Sequence, residues 1–85
     1  MSELVESIRE RYLATLDTIS VAAKKAGRAP EAVKLVVVTK SQPVEIVRAA
    51  IEAGAKILGE NYPEEGVMKI QSLQEFSAVE WHMIG

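Results

Sequence analysis

The run Leu35-Val36-Val37-Val38-Thr39-Lys40, followed at once by Ser41-Gln42-Pro43, restricts this chain to few folds. Four consecutive aliphatics, three of them β-branched, lack the apolar–polar alternation of a strand with one wet face. They predict a strand buried on both faces, the usual condition in a parallel sheet covered by helices. Parallel strands are joined by crossover connections, so helices are expected on either side of the run. Chemistry in such folds lies at the carboxyl ends of the strands, and Lys40 sits at that end. Two readings of Lys40 are open from the residues alone. It is a nucleophilic amine that binds an aldehyde covalently, or it is a solvated surface lysine.

The flanking segments supply the helices. Val5, Ile8, Tyr12, Leu16, Ile19, Ala23 and Ala26 recur at three- and four-residue steps and predict an amphipathic first helix. Ser2 suits its N-cap, Glu3 and Glu6 the positive end of its dipole, Lys24 and Lys25 the negative end, and Gly27 its stop. Gly27-Arg28-Ala29-Pro30 reads as a loop. Beyond the strand, Pro43 fits the first position of a second helix. Val44, Ile46, Val47, Ala50, Ile51 and Ala53 form its apolar half, and Gly54 ends it. A second strand is expected over Lys56 to Gly59. A third helix follows, with Asn61 as N-cap and Glu64 as its capping-box partner. Val67, Met68, Ile70 and Leu73 make up its apolar side. Val79 to Ile84 predicts a third strand, with Gly85 the last residue.

The order is thus a leading helix and then β-α-β-α-β, an α/β chain with a parallel sheet. Its 85 residues are expected to form a single partial domain, the front part of a larger barrel or sheet. The third strand has no helix after it, and a three-stranded sheet leaves two open edges. Alone, such a chain is expected to associate with other copies of itself through those edges.

Composition removes several function classes. There is no cysteine, so disulfides, thiolate catalysis and cysteine-bound metals are excluded. The formal charge is −2 and no basic cluster exceeds the pair Lys24-Lys25, which argues against a nucleic-acid partner. The longest apolar run, Leu35–Val38, is far too short to span a membrane. Glu3, Glu6, Arg9, Glu10 and Arg11 interrupt any signal-peptide core, so a cytoplasmic protein is the expectation.

Three positions at strand ends could carry chemistry. A free lysine amine, with an ordinary pKa near 10.4, is neutral in about one molecule in 2,500 at pH 7, so a nucleophilic Lys40 needs a desolvating pocket. Val36 and Val38 share its side of the strand by alternation. In Gly59-Glu60-Asn61-Tyr62, Asn61 offers a neutral donor and acceptor to a ligand, or simply a helix cap, and Tyr62 reads as a partly buried packing residue. In Glu80-Trp81-His82-Met83-Ile84, alternation places Glu80, His82 and Ile84 on one face. His82 is the only histidine, so it is a poor metal ligand and reads most simply as a hydrogen-bonded interior residue. Trp81 reads as a core residue under a helix. No glycine-rich phosphate motif is present. Pro43 and Pro63 each remove an N–H from a helix N-terminus, and Glu45, Glu64 and Glu65 add negative charge there.

Taken in order, Val37-Val38-Thr39-Lys40-Ser41-Gln42-Pro43, Gly59-Glu60-Asn61-Tyr62 and Glu80-Trp81-His82-Met83-Ile84-Gly85 resemble the pyridoxal phosphate homeostasis protein family. The resemblance runs over the whole chain, and three ordered motifs make it specific. It implies the first part of a parallel (β/α)8 TIM barrel like the barrel domain of alanine racemase. It implies that Lys40 forms the Schiff base with pyridoxal 5′-phosphate, that Asn61 stands close to the cofactor, and that His82 lines the interior near it. It also implies binding and buffering of vitamin B6 cofactor without established catalytic turnover.

Two departures qualify what the resemblance implies. Family members often carry a lysine two residues after the Schiff-base lysine, where this chain has Gln42. The family's barrel is also much longer, and the segments that hold the phosphate and the pyridine nitrogen lie outside the match. The 85 residues by themselves are therefore expected to bind the cofactor weakly or not at all. The alternatives are a pyridoxal-phosphate-dependent racemase of the same barrel type, and a self-associating fragment without ligand.

Overall fold

The computed structural model describes residues 2–85. Helix α1 (Glu3–Lys25) starts where Ser2 Oγ accepts a hydrogen bond from the Val5 N–H at 3.1 Å. It ends in a Schellman motif. Gly27, at φ +73°, donates its N–H to Lys24 O at 3.1 Å, and Arg28 donates to Ala23 O at 2.8 Å. Both predicted caps are therefore formed. A helix of this length spans about 34 Å, more than the short sheet beneath it can cover. Val5 and Ala23 are buried, while Leu16, expected on the inner stripe, is exposed.

A 3₁₀ turn at Pro30–Ala32 leads into a three-stranded parallel sheet. Its strands are β1 (Val37–Val38), β2 (Ile57–Glu60) and β3 (Glu80–Met83), in that order across the sheet. Helix α2 (Val44–Glu52) connects the first two strands and α3 (Pro63–Ser72) the last two. Val37 pairs with Leu58 and Leu58 with Trp81, so these three lie in one row. That row faces the helices and packs with Val47, Ala50, Ala55, Leu73 and Phe76. Leu58, with no exposed surface, is at its centre, and its burial alone contributes about 1.5–3 kcal/mol. Trp81 packs against this core, as its place in the alternation predicts.

Helix α1 lies against α2 through Val5, Ile8, Ala49 and Ala53. Arg9 of α1 donates to the carbonyls of Glu52 (3.1 Å) and Ala53 (3.4 Å), satisfying acceptors at the end of α2. Gly54, at φ +120°, closes α2 as expected.

Four sequence expectations give way. The Leu35–Val38 run is not buried on both faces: Val38 is 49% exposed, because the helices cover only one side of the sheet. Pro43 is the N-cap of α2 instead of its first helical residue. Asn61 does not cap α3; the cap position is Tyr62, without a side-chain bond, and Pro63 opens the helix. Tyr62 is exposed, not partly buried, since its side chain sits at the chain's entry into the helix.

The largest correction concerns the rotation of α3. Val67, Met68 and Ile70 were expected inside and are exposed, whereas Gly66, Lys69 and Leu73 are buried. A Cβ on Gly66 would stand 3.5 Å from Glu60 Cβ and 3.7 Å from Met83 Sδ. Those are ordinary van der Waals distances, so Gly66 packs against β2 without being required there, and one turn on Lys69 meets buried Glu60. A buried ion pair, rather than the larger apolar residues, marks the inward face of the helix.

Candidate functional site

Because the three strands are parallel, their carboxyl ends lie along one edge, and each delivers a candidate residue there. Lys40 leaves β1, Asn61 leaves β2, and His82 is the third residue of β3. Val38 pairs with Gly59 and Gly59 with His82, a row one step removed from the helix-facing row. It therefore lies on the opposite, open face of the sheet. A Cβ built on Gly59 would meet Val36 Cγ1 at 3.0 Å and Ile84 side-chain carbons at 3.3 Å, which places Val36 and Ile84 on that same face.

His82 is exposed on this face, with Nε2 2.6 Å from Glu80 Oε2. It is not the interior residue its strand position suggested, because nothing among the described residues covers the open face. The hydrogen bond from His82 holds the Glu80 carboxyl below the usual glutamate range. Asn61 is half-buried, and its amide lies against Gly85, in the place a Cβ there would take. Lys40 is exposed and makes no hydrogen bond or ion pair among the described residues.

The turn that presents Lys40 is tightly built. Gln42 N–H donates to Thr39 O at 3.2 Å, with Ser41 in the left-handed region at φ +63°. Glycine or asparagine is usual at such a turn position. Beneath the turn lies a buried polar cluster of Thr39, Glu60 and Lys69, exposed by 3%, 1% and 2%. Lys69 Nζ donates to Thr39 O (2.7 Å), to both oxygens of Glu60 (3.1 Å each) and to Glu65 Oε1 (2.7 Å). Thr39 Oγ1 donates to Glu60 Oε2. Glu65 Oε1 accepts from the Ser41 N–H at 2.8 Å. Lys69 first, and the Ser41 N–H with it, hold the Glu65 carboxyl below its ordinary range.

In the sequence, Thr39, Ser41 and Glu60 appear only as parts of motifs and Glu65 only as a charge at a helix start, and nothing points to Lys69. Glu60 occupies the helix-facing parity of β2, two residues after Leu58, which was the one available signal of a buried carboxylate. Lys69 lay on what read as the polar side of its helix.

The strand ends bring an amine, a carboxamide and an imidazole to one edge of the sheet, and an amine can bind an aldehyde covalently. The helix starts at that edge do not suit an anion such as phosphate, since Glu45, Glu64 and Glu65 stand in the first turns of α2 and α3, and the Ser41 N–H is already taken by Glu65. The apolar cleft between α1 and the sheet, lined by Ile8, Tyr12, Leu35, Val37, Ala50 and Ala55, holds none of the three candidates.

No protein-family model matches the chain. It is 46% identical over 71 residues to the pyridoxal phosphate homeostasis protein of Escherichia coli, a match covering 81% of this chain and 30% of that protein. It is 39% identical over 84 residues to the protein of the same name from Vibrio alginolyticus, covering 95% of this chain and 36% of the relative. The chain thus spans about a third of the length of these curated relatives. Among solved structures it superposes on an unknown protein from Bifidobacterium adolescentis with a TM-score of 0.84 at 28% identity, over 100% of this chain and 39% of the other. It superposes on PipY of Synechococcus elongatus, solved without PLP, with a TM-score of 0.62 at 30% identity, over 79% and 31% of the two chains. Similarity of sequence and of fold agree with the three strand-end motifs: over about a third of their length, the chain resembles curated proteins named pyridoxal phosphate homeostasis protein.

Proposed function

We propose that the chain is part of a pyridoxal 5′-phosphate-binding protein of vitamin B6 homeostasis, and that Lys40 is the residue that holds the cofactor. The observation that carries this reading is that Lys40, Asn61 and His82 stand at the carboxyl ends of three neighbouring parallel strands, along one edge of the sheet. When bound, the cofactor would supply an aldehyde, and Lys40 Nζ would be the amine that holds it as a Schiff base. Asn61 is suited to orient a ring oxygen, and His82, with Glu80 behind it, to donate or accept a proton on the same face. In this reading residues 1–85 are one partial domain, the opening strands of a parallel (β/α)8 barrel, and the phosphate is held by residues beyond those described. The relatives' names support binding and release as the role, rather than turnover.

The test is to mix the intact protein with pyridoxal phosphate, follow the visible absorbance of the Schiff base, trap it with borohydride and locate the label by mass spectrometry. The label is expected on Lys40, and Lys40→Ala abolishes the absorbance. Retention of the absorbance after Lys40→Ala refutes the assignment. Asn61→Ala and His82→Ala are expected to weaken binding without abolishing the covalent bond.

A further inference from the structure

We propose that the Glu65–Lys69 pair of α3 is the positioning device of the site, gripping both sides of the turn that carries Lys40. The inference rests on Lys40 being the reactive amine. Lys69 Nζ holds the carbonyl of Thr39, the residue before Lys40, at 2.7 Å. Glu65 holds the N–H of Ser41, the residue after it, at 2.8 Å. The two side chains are one helical turn apart and bonded to each other at 2.7 Å, so they act as a single clamp. Glu60 and Thr39 anchor the clamp from below through their buried hydrogen bonds.

Three features favour a positioning role over simple stabilisation. A buried ion pair contributes little net stability compared with apolar residues of the same volume, so stability alone does not account for Lys69. The clamped turn contains Ser41 at φ +63°, an unfavourable backbone that persists only where surrounding bonds enforce it. Lastly, the two atoms gripped are the nearest hydrogen-bonding groups on either side of the Lys40 residue, while Lys69 itself is sealed beneath α3 on the face opposite Gly59 and His82. The clamp therefore acts through the backbone of the turn, fixing where the Lys40 amine stands relative to Asn61 and His82.

Glu65→Ala tests this in the intact protein, because Glu65 lies at the rim of the cluster and its loss leaves the buried Glu60–Lys69 pair in place. Schiff-base formation with pyridoxal phosphate is expected to slow by about tenfold or more, as misplacement of a reacting group does. Adding Ser41→Gly, which removes the backbone penalty of the turn, is expected to restore most of the rate. Unchanged kinetics in Glu65→Ala overturn the proposal. So does a slowed variant that Ser41→Gly fails to rescue, since a general loss of stability would give that result. Should Lys40→Ala retain the absorbance, it is the assignment of Lys40 that fails. The clamp is then judged by acetic anhydride labelling of Lys40 in cofactor-free protein. There, a change in Glu65→Ala that Ser41→Gly reverses supports it, and identical labelling in all variants overturns it.

Discussion

Replacing Lys69 by methionine tests whether the buried polar cluster is an ion pair on which the fold depends. In the native structure Glu60 is 1% exposed and Lys69 is the cation bonded to it. With methionine in place, Thr39 O still accepts from the Gln42 N–H, and Thr39 Oγ1 still donates to Glu60. The buried Glu60 charge is orphaned, while Glu65 at the rim also loses the cation but keeps the Ser41 N–H and contact with solvent. Leaving one buried charge without its partner destabilises by about 3–5 kcal/mol. For a unit of this size, total stability is on the order of 4–13 kcal/mol, so the loss is a large part of the whole. At an m value of about 1.5 kcal/mol/M, the urea midpoint falls by about 2–3 M, read by far-ultraviolet circular dichroism at neutral pH. The double replacement Glu60→Leu with Lys69→Met removes both charges and is expected to lie within about 1–2 kcal/mol of the native protein. A loss below about 1 kcal/mol in Lys69→Met refutes the reasoning. A double variant as unstable as the sum of the singles does so too, because it shows that packing, rather than an unpaired charge, sets the loss.

Leu58→Ala removes the centre of the helix-side core and is expected to lose about 2–5 kcal/mol in the same urea titration, with no specific change at Lys40. Gly59→Ala puts a methyl group 3.0 Å from Val36 Cγ1 and 3.3 Å from Ile84 carbons, so it is expected to cost about 1–3 kcal/mol in the same titration, and an unchanged midpoint would contradict the packing described at this position. The clamp also predicts a pH dependence with a definite sign. The Glu65 carboxyl is held below its ordinary value of 4.5, so its contribution is fully present above that value and is lost as pH falls through the lower folded one. The stability difference between native protein and Glu65→Gln should accordingly be flat near neutrality and shrink in acid. Finally, Val38, Ile84, Val67 and Met68 are exposed apolar residues, and the 85-residue chain in isolation is expected to sediment as more than a monomer. A compact monomer would contradict association through its uncovered surfaces.

Much of the fold was legible because its signals are local. The Ser2 cap, the two glycine stops at Gly27 and Gly54, and the strand–helix alternation each depend on a few neighbouring residues, and each forms as expected. Lys40, Asn61 and His82 were legible as strand-end residues for the same reason: parallel strands put all their carboxyl ends on one edge. The cap at Asn61 failed because the following Tyr62-Pro63 places the proline at the first helical position and moves the cap to Tyr62.

The chain's order of elements, the parallel direction of its strands and the residues at their tips follow from periodicity and turn chemistry alone. The orientation of α3 and the support beneath Lys40 do not. They depend on Glu60, Glu65, Lys69 and Thr39, which come from three segments and meet only when α3 settles over β2 at Gly66. A lysine on a helix scores as solvent-facing until a buried carboxylate is brought against it. No window of sequence contains that encounter, because hydrogen bonding and charge pairing between distant segments are properties of the packed chain. Tertiary packing likewise decided that β1 is covered on one side only, which leaves Val38 and His82 exposed on the uncovered face.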